Sequence, residues 1–274
     1  MQIESSVFER LRELVYHHSG LSFDEKKMYY FDRRVETRIE AVGATSVTDY
    51  VQLLCRGDGA DELQTLCESL TTNETYFFRE YAQLKAFAEG VLPMLLNARR
   101  AAGTRRLRIW SAGCSTGEEP YTLAIILREM IEDFEQWDVS ILGTDISREV
   151  LRRARQAIYG TRALKDVPTI YRQRYFRTEA DGERVATLIS RMVTFRQANL
   201  KLARPPRDLT DLDAIFCRNV LIYFGDHSRR QAVEMFHDAL TPGGAIFLGA
   251  SESVGRITSA FRPVQLGRML TYIK

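Results

Sequence analysis

At about 150 residues per domain, a chain of 274 residues is long enough for two domains or for one large α/β unit. Its residues are 45% hydrophobic and 27% charged, which excludes disordered, collagen-like and disulfide-scaffold proteins. The 38 Lys and Arg residues nearly balance the 36 Asp and Glu residues, and the formal net charge of +2 is too small for a protein whose whole surface binds nucleic acid.

The sequence has no apolar run that approaches the roughly 20 residues of a membrane-spanning helix. Its first residues include early acids and no long apolar centre, so they do not look like a signal peptide. The cysteines stand far apart without a C-x-x-C pair, which argues against a zinc site and for a reducing compartment; they are Cys55, Cys67, Cys114 and Cys217. We therefore expect a cytoplasmic protein without metal ligands and without membrane insertion.

Residues 1–70 are predicted to form an all-helical domain. After Ser22, apolar residues recur at helical spacing up to Gly43, a typical C-terminal cap, so one stripe of this helix should be buried. The stripe consists of Met28, Phe31, Val35, Ile39 and Val42.

Residues 71–80 are predicted to link this domain to the rest of the chain. A dense polar run that includes Asn73 and Thr75 is followed by three consecutive aromatic residues and then by Arg79. A plain linker does not need such a cluster. One explanation is a domain junction, in which the aromatic residues pack the two parts together and the polar residues cap a helix.

From Leu107 onward, short apolar runs alternate with helices, which predicts an α/β fold with a doubly wound parallel sheet. The apolar runs are LRIWSA, VSILGTD, LDAIFC and AIFLGA, and the helices begin near Glu118, Ser147 and His227. The final segment alternates apolar and polar residues, which predicts an antiparallel hairpin at the edge of the sheet.

Residues 81–274 would thus form one domain with a small insertion. The segment from about 175 to 197 interrupts the alternation and contains Asp181-Gly182, a typical tight hairpin turn. We predict a small antiparallel β-subdomain there.

The loop after the first strand, SAGCSTGEEP, is rich in glycine but is neither a G-x-G-x-x-G motif nor a P-loop. Glu118 and Glu119 lie in the first turn of the following helix, where they would repel a pyrophosphate. A nucleoside without phosphates fits better, and S-adenosylmethionine also carries a sulfonium cation and an amino group. Alternatively, both acids only complement the helix dipole and form caps.

The next two strands also end in polar residues. Asp145 follows ILGT and is placed either to accept hydrogen bonds from ribose hydroxyls or to cap the next helix. Arg218 and Asn219 follow the third strand, and such strand-end groups are good site candidates. Tyr223 lies four residues further on, where simple packing is an alternative role.

Taken together, these elements resemble the chemotaxis receptor methyltransferases, the CheR family. The motifs T-x-N-x-T-x-F-F-R, W-S-A-x-x-S-T-G-E-E-P-Y, G-T-D-I and I-F-C-R-N-V-x-I-Y-F occur in the family's order and span nearly the whole chain. The resemblance implies a helical N-terminal domain followed by a Rossmann-like class I methyltransferase domain with an inserted β-subdomain. It also implies S-adenosylmethionine as cofactor and S-adenosylhomocysteine as product.

The resemblance further implies which residues form the site. The implied cofactor contacts are Asn73, Thr75, Arg79, Ala112, Glu118, Glu119, Asp145, Asn199, Leu200, Arg218 and Asn219, with either or both of the two glutamates facing the cofactor. Arg79 and Tyr223 are the implied catalytic residues, near the reacting methyl group and the substrate carboxylate.

Two features depart from the family pattern. Cys114 stands in the glycine loop where small residues are usual, and a thiol there could be oxidised. The hairpin at Asp181-Gly182 is short compared with members whose β-subdomain binds a C-terminal receptor peptide. We therefore hypothesise that this protein does not need such a pentapeptide.

The expected function is O-methylation of glutamate side chains on the cytoplasmic helices of chemoreceptors. Lys27, Arg34 and Arg38 share one side of a helix in a domain with 8 basic and 13 acidic residues, so they could dock an acidic receptor helix. A solvated face balanced by nearby acids is the simpler explanation for each charge alone. The alternatives are methylation of another acceptor, or a regulatory module that binds the cofactor without turnover. We expect a monomer.

Overall fold

The structure, a computed structural model, describes residues 5–24, 27–201, 205, 209–254, 257–267 and 269–274. Four helices precede the linker: α1 (Ser5–Ser19), α2 (Met28–Val42), α3 (Val47–Cys55) and α4 (Ala60–Ser69). Within α2, Phe31, Val35 and Ile39 are buried, which confirms the centre of the predicted stripe. The helix ends at Gly43, whose φ of +70° suits glycine, and the following N–H groups bond back to the last turn.

The second part of the chain is built on a seven-stranded sheet. Its strands are β1 (Arg106–Ala112), β2 (Asp138–Asp145), β6 (Val193–Gln197), β7 (Leu212–Cys217), β8 (Leu240–Leu248), β9 (Arg262–Leu266) and β10 (Met269–Ile273). They lie in the order β6-β2-β1-β7-β8-β10-β9. The first five are parallel to one another, whereas β10 pairs antiparallel with β8 and forms an antiparallel hairpin with β9 at the edge, as predicted.

Helices flank both faces of this sheet. They are α5 (Tyr81–Ala86), α6 (Leu92–Ala101), α7 (Glu118–Met130), α8 (Arg148–Gln156), α9 (Thr169–Tyr175), α10 (Thr187–Ser190) and α11 (Asp226–Ala239). One π-helical turn, Phe87–Val91, joins α5 to α6. Every helix in the described part of the chain is too short or too polar to cross a membrane.

Successive residues of the central strands point to opposite faces of the sheet and enter two different cores. Ile215 and Cys217 of β7 belong to a core that also contains buried residues of α1 to α4 and of α11. Ala214 and Phe216 belong to the other core, which contains α5 to α7 and the aromatic pair Phe77 and Phe78. Because both faces are covered, these strands are continuously apolar. The helical domain thus shares a core with one face of the sheet.

The predicted insertion from about 175 to 197 is correct only in part. A second, three-stranded sheet has the order β3-β5-β4, with β3 (Ile158–Tyr159), β4 (Phe176–Glu179) and β5 (Gly182–Val185). The end of the predicted range, however, is β6, which pairs in parallel with β2 in the large sheet. The hairpin turn is a local sequence pattern, whereas the position of β6 depends on distant contacts such as that of Phe195 with the ring of Tyr121 in α7.

Candidate cofactor and active site

A cleft opens at the carboxyl ends of β1, β2 and β7, where ligands bind in open α/β sheets. Its empty space is about 980 Å³, including the part open to solvent, which is enough for a nucleoside-sized ligand. Nine of the twelve predicted site residues line it: Asn73, Thr75, Arg79, Glu119, Asp145, Leu200, Arg218, Asn219 and Tyr223. The remaining three are Ala112, Glu118 and Asn199.

The glycine loop forms one wall of the cleft. The N–H groups of Gly113 and Cys114 both donate to the carbonyl of Thr144, at 2.7 and 2.9 Å, which ties the loop to the end of β2. Gly113 has a φ of +79°, and a Cβ there would lie 2.4 Å from a methyl carbon of Val220. Glycine is therefore required by both conformation and space. The buried thiol of Cys114 has a pKa raised by burial, which disfavours the reactive thiolate.

Asp145, at the end of β2, is buried and accepts two backbone hydrogen bonds. One oxygen accepts from the N–H of Ser115 at 2.9 Å and the other from that of Ser147 at 3.0 Å. Ser147, not Asp145, caps helix α8 with its side chain. The capping alternative for Asp145 is thus wrong, and the carboxylate lines the cleft with lone pairs left for further donors.

The structure separates the two adjacent glutamates of α7. Glu119 lines the cleft, where it accepts from the hydroxyl of Ser111 at 2.7 Å and lies 3.1 Å from the Arg218 guanidinium. Burial raises the pKa of Glu119, and Arg218 opposes that rise. Glu118 accepts from the hydroxyl of Thr116 at 2.7 Å and is not part of the cleft lining. Helix α7 begins after Gly117, and both acids lie in its first turn. Glu119 thus also faces the cleft, whereas Glu118 has the helix-terminal place that the alternative describes.

Arg218 connects three segments at the wall of the cleft. Its side chain is 4% exposed and lies 3.1 Å from Glu119 and 3.4 Å from Glu80. It also donates to the carbonyl of Arg79. These contacts fix the linker against helix α7 and the end of β7. They also neutralise a cation that would be costly to bury alone.

The linker forms the outer wall of the cleft. Phe77 is buried in the core, and the N–H of Phe78 donates to the hydroxyl of Thr122 on α7 at 3.2 Å. These anchors leave Asn73, Thr75 and Arg79 on the cleft side. Arg79 donates to the carbonyl of Glu74 at 2.6 Å, and its guanidinium lies 5.9 Å from the centre of the Tyr76 ring.

The segment after β7 brings Asn219 and Tyr223 to the same cleft. Tyr223 lies in a short 3-10 helix, Leu221–Tyr223, and its carbonyl accepts from the N–H of Ser22 at 2.8 Å. The Lys27 ammonium of the helical domain lies 5.6 Å from the centre of the Tyr223 ring. The helical domain therefore reaches the mouth of the cleft.

Backbone strain is concentrated around the cleft. Six described residues other than glycine have a positive φ, and four of them surround the site. These four are Phe78, Glu80, Ser115 and Asn219, with φ values from 49° to 59°. Such conformations cost free energy and persist where surrounding contacts enforce them, as they often do at functional sites.

Two predicted cofactor contacts, Asn199 and Ala112, do not line the cleft. Asn199 donates from its side-chain amide to the carbonyl of His18 at 2.6 Å, so it joins the loop after β6 to helix α1. Ala112 is buried as the last residue of β1, and the next residue, Gly113, lines the cleft in its place. The loops implied by the resemblance meet at the cleft, but the direction of each side chain depends on the packing of distant helices.

Sequence reasoning also missed residues of the lining. Thr122 lies one helical turn after Glu118, a spacing that could have identified it. Leu21 comes from the helical domain, and nothing in its local sequence pointed to the cleft. Its place depends on the packing of two parts of the chain that are far apart in sequence.

The residues of the cleft fit S-adenosylmethionine. The lining includes three acids and two bases, with Asp145 and Glu119 on the inner walls and Arg79 and Arg218 beside them. Carboxylates can accept from ribose hydroxyls and from an amino group, while a guanidinium can bind a carboxylate. Such a mixed set suits a zwitterionic nucleoside better than a pyrophosphate, which several acids would repel.

Comparisons with known proteins agree with this geometry. A family model described as "CheR methyltransferase, SAM binding domain" matches residues 73–270, and one described as "CheR methyltransferase, all-alpha domain" matches residues 6–71. A chemotaxis protein methyltransferase 2 of Vibrio cholerae is 40% identical over 99% of this chain and 94% of its own length. The chemotaxis protein methyltransferase of Borreliella burgdorferi is 33% identical over 93% and 90% of the two chains. That of Escherichia coli is 34% identical over 95% and 89%.

Asp145→Asn should weaken S-adenosylhomocysteine binding about tenfold or more at pH 7.5, because an amide cannot accept at both positions. Burial raises the pKa of Asp145 above its usual 3.8. As the pH falls through this raised pKa, the carboxylate is protonated and stops accepting at both oxygens. Wild-type affinity should therefore begin to fall above pH 3.8, and the variant should lose part of this dependence.

Isothermal titration calorimetry from pH 7.5 down to about pH 4 checks this expectation. Asp238→Asn, at an acid 65% exposed on α11, is the matched control and should bind like the wild type. Equal affinities of wild type and Asp145→Asn at every pH would contradict the assignment.

Proposed function

Because this chain belongs to the CheR methyltransferase family, we propose that it methylates glutamate side chains on the cytoplasmic helices of chemoreceptors. Family membership confirms the predicted resemblance and fold class. It also makes the chain an S-adenosylmethionine-dependent methyltransferase. The identity of the acceptor is the proposed part.

The observation that carries the proposal is the pair Arg79 and Tyr223, which line the same cleft as Asp145 and Glu119. A cation and a phenol beside a cofactor cleft suit an anionic acceptor. A glutamate side chain has a pKa near ~4.3, so at neutral pH it is already an ionised nucleophile and needs no general base. The reaction therefore depends on positioning.

Arg79 and Tyr223 would each hold the acceptor carboxylate in a different way. The guanidinium of Arg79 has five N–H donors, one of which is bonded to the carbonyl of Glu74, and the Glu74 and Tyr76 contacts restrict its movement. The hydroxyl of Tyr223 can donate a further hydrogen bond. Bound S-adenosylmethionine supplies the electrophilic methyl group. The two side chains keep the carboxylate oriented while it loses part of its water shell.

With tritiated S-adenosylmethionine and receptor-containing membranes, we expect base-labile label on a receptor-sized band. Mild base releases methanol from carboxyl methyl esters but not from methylated nitrogen. Arg79→Ala should lower turnover about 100-fold, because one positioned charge contributes on that scale. Arg79→Lys should recover only part of the activity, since a lysine cannot reproduce the planar fork.

S-adenosylhomocysteine affinity, measured by calorimetry, separates binding from turnover in these variants. Base-stable label, or binding without labelling of any receptor, would contradict glutamate methylation. Arg79→Ala with unchanged activity and affinity would remove Arg79 from the mechanism.

The helical domain, proposed here as residues 1–70, would dock the receptor through helix α2. Lys27 and Arg34 are exposed, and Lys27 lies beside Tyr223 at the mouth of the cleft. The third predicted docking residue, Arg38, requires correction. Its guanidinium forms two hydrogen bonds with Glu62 of α4, at 2.9 and 2.6 Å, and Glu62 also accepts from the hydroxyl of Tyr50. Arg38 is thus engaged within the domain, and Lys27 and Arg34 remain the proposed docking pair.

The double variant Lys27→Glu/Arg34→Glu should lower kcat/KM for the receptor about tenfold or more, because two attractive charges become repulsive. The effect should shrink at high salt. Arg230→Glu, at an exposed residue of α11, changes the net charge in the same direction and should have a small effect. Equal losses of kcat/KM in the double variant and in Arg230→Glu, or weaker S-adenosylhomocysteine binding, would argue against docking on α2.

We also propose that methylation does not depend on a C-terminal receptor pentapeptide. The hairpin of β4 and β5 has a two-residue connection, since Glu179 pairs directly with Gly182. Strand β4 has three exposed polar residues, Arg177, Thr178 and Glu179, and Arg184 of β5 pairs with Glu179 across the hairpin. Charged edge strands discourage the addition of a further strand.

A receptor that lacks its last five residues should therefore be methylated with a kcat/KM within about twofold of the full-length receptor, because no docking energy is lost. Calorimetric titration with the free pentapeptide should detect no micromolar binding. Micromolar affinity, or a loss of about tenfold on truncation, would overturn this part of the proposal.

A further inference from the structure

The acidic side chain of Glu252, outside the cleft, holds the segment after β7, which contributes five residues to the cleft lining. Strand β8 ends at Leu248, and the N–H of Glu252 donates back to the carbonyl of Gly249 at 2.9 Å in a tight turn. This turn directs the Glu252 carboxylate toward the loop after β7. One oxygen accepts from the N–H groups of Gly249 and Asn219, at 2.7 and 2.8 Å. The other accepts from those of Val220 and Ile222, each at 3.1 Å.

Four backbone donors on one half-buried carboxylate make a strong local restraint. Hydrogen bonds to an ionised acceptor are roughly twice as strong as neutral ones. The N–H groups of Val220 and Ile222 lie at the start of the short 3-10 helix that ends at Tyr223, where backbone donors have no partner within the helix. Glu252 supplies that missing partner.

The restraint acts where the backbone is strained. Asn219 has a φ of +59°, an unfavourable conformation for a residue with a side chain. Its N–H is bonded directly to Glu252. On the other side, a Cβ on Gly249 would lie 2.8 Å from the Asn219 nitrogen and from the Glu252 carboxylate, so the two loops are in close contact.

We propose that Glu252 is a positioning residue of the cofactor site. It does not line the cleft, but it fixes the segment from Arg218 to Tyr223 and so sets the directions of Asn219 and Tyr223. The part of this proposal that concerns Tyr223 and the methyl acceptor rests on the proposed function. Its cofactor side, through Arg218 and Asn219, concerns binding of S-adenosylhomocysteine and does not depend on the acceptor.

Glu252→Gln tests this proposal with little change in volume. One side-chain oxygen still accepts, but the amide NH₂ faces backbone N–H groups, so two of the four hydrogen bonds become donor-to-donor contacts. We expect S-adenosylhomocysteine to bind at least tenfold more weakly by calorimetry, and kcat to fall by a similar factor. Glu252→Asp keeps the charge and should give intermediate values.

If Glu252 only stabilised the fold, its replacement would lower the melting temperature without this loss of S-adenosylhomocysteine affinity and kcat. Glu129→Gln is the matched control, since Glu129 is a partly buried acid that pairs with Arg174 and Tyr175 away from the cleft. It should lower the melting temperature, yet leave the S-adenosylhomocysteine Kd within twofold of wild type. Folded Glu252→Gln with a Kd and kcat within twofold of wild type would overturn the proposal.

If Glu252→Gln does not fold, Gly249→Ala tests the same proposal. The added methyl group acts on the same contact from the opposite side, and we expect a fivefold to tenfold increase in the Kd. An unchanged Kd in folded Gly249→Ala would also overturn the proposal. Failure of the wild type to methylate a receptor glutamate would contradict the proposed function and leave the role of Glu252 in cofactor binding intact.

Discussion

The buried guanidinium of Arg218 joins the three segments from which the cleft is built. It contacts the linker through Glu80 and the carbonyl of Arg79, and it contacts helix α7 through Glu119. Removing one partner of a buried ion pair costs about 3–5 kcal/mol, because the remaining charge keeps little solvent. The cleft therefore forms as a unit, and its walls depend on one another more than on their own local structure. Burial raises the pKa of the Glu119 carboxyl in the cleft, and the charge of Arg218 opposes that rise.

The helical domain supports the cofactor site, in addition to the docking role proposed for it. The side-chain amide of Gln64 on α4 donates to the carbonyl of Ile146 at 2.8 Å. Glu68, one turn later, accepts from the hydroxyl of Ser147 and the N–H of Arg148, at 3.3 and 3.2 Å. These contacts hold the residues that directly follow Asp145. The helical domain thus contributes to the cofactor site and is not a separate recognition module.

The sequence was sufficient to predict the order of the elements and the loops that form the site. Strands and helices leave periodic patterns, and a parallel sheet brings its carboxyl ends to one edge, so Asp145, Arg218 and Asn219 could be expected to meet. The sequence does not reveal which way a side chain points or which distant residue or strand it pairs with. Glu118 and Glu119 are adjacent in sequence, but only the structure separates their roles. Likewise, the Arg38 side chain meets Glu62, a contact that helical spacing within α2 cannot reveal. The sequence pattern likewise places strand β6 in the small subdomain, whereas it pairs with β2, a strand far away in the sequence.

The uneven distribution of positive φ values has a consequence for engineering thermal stability. Replacing a residue in the left-handed region by glycine relieves steric strain, but at Ser115 or Asn219 it would also loosen the walls of the cleft. Ala157 and Asp211 have φ values of 54° and 56° and do not line the cleft. Strain at these two positions can be relieved without touching the site. The chain therefore separates strained positions outside the site from strained positions where the relief of strain trades against activity.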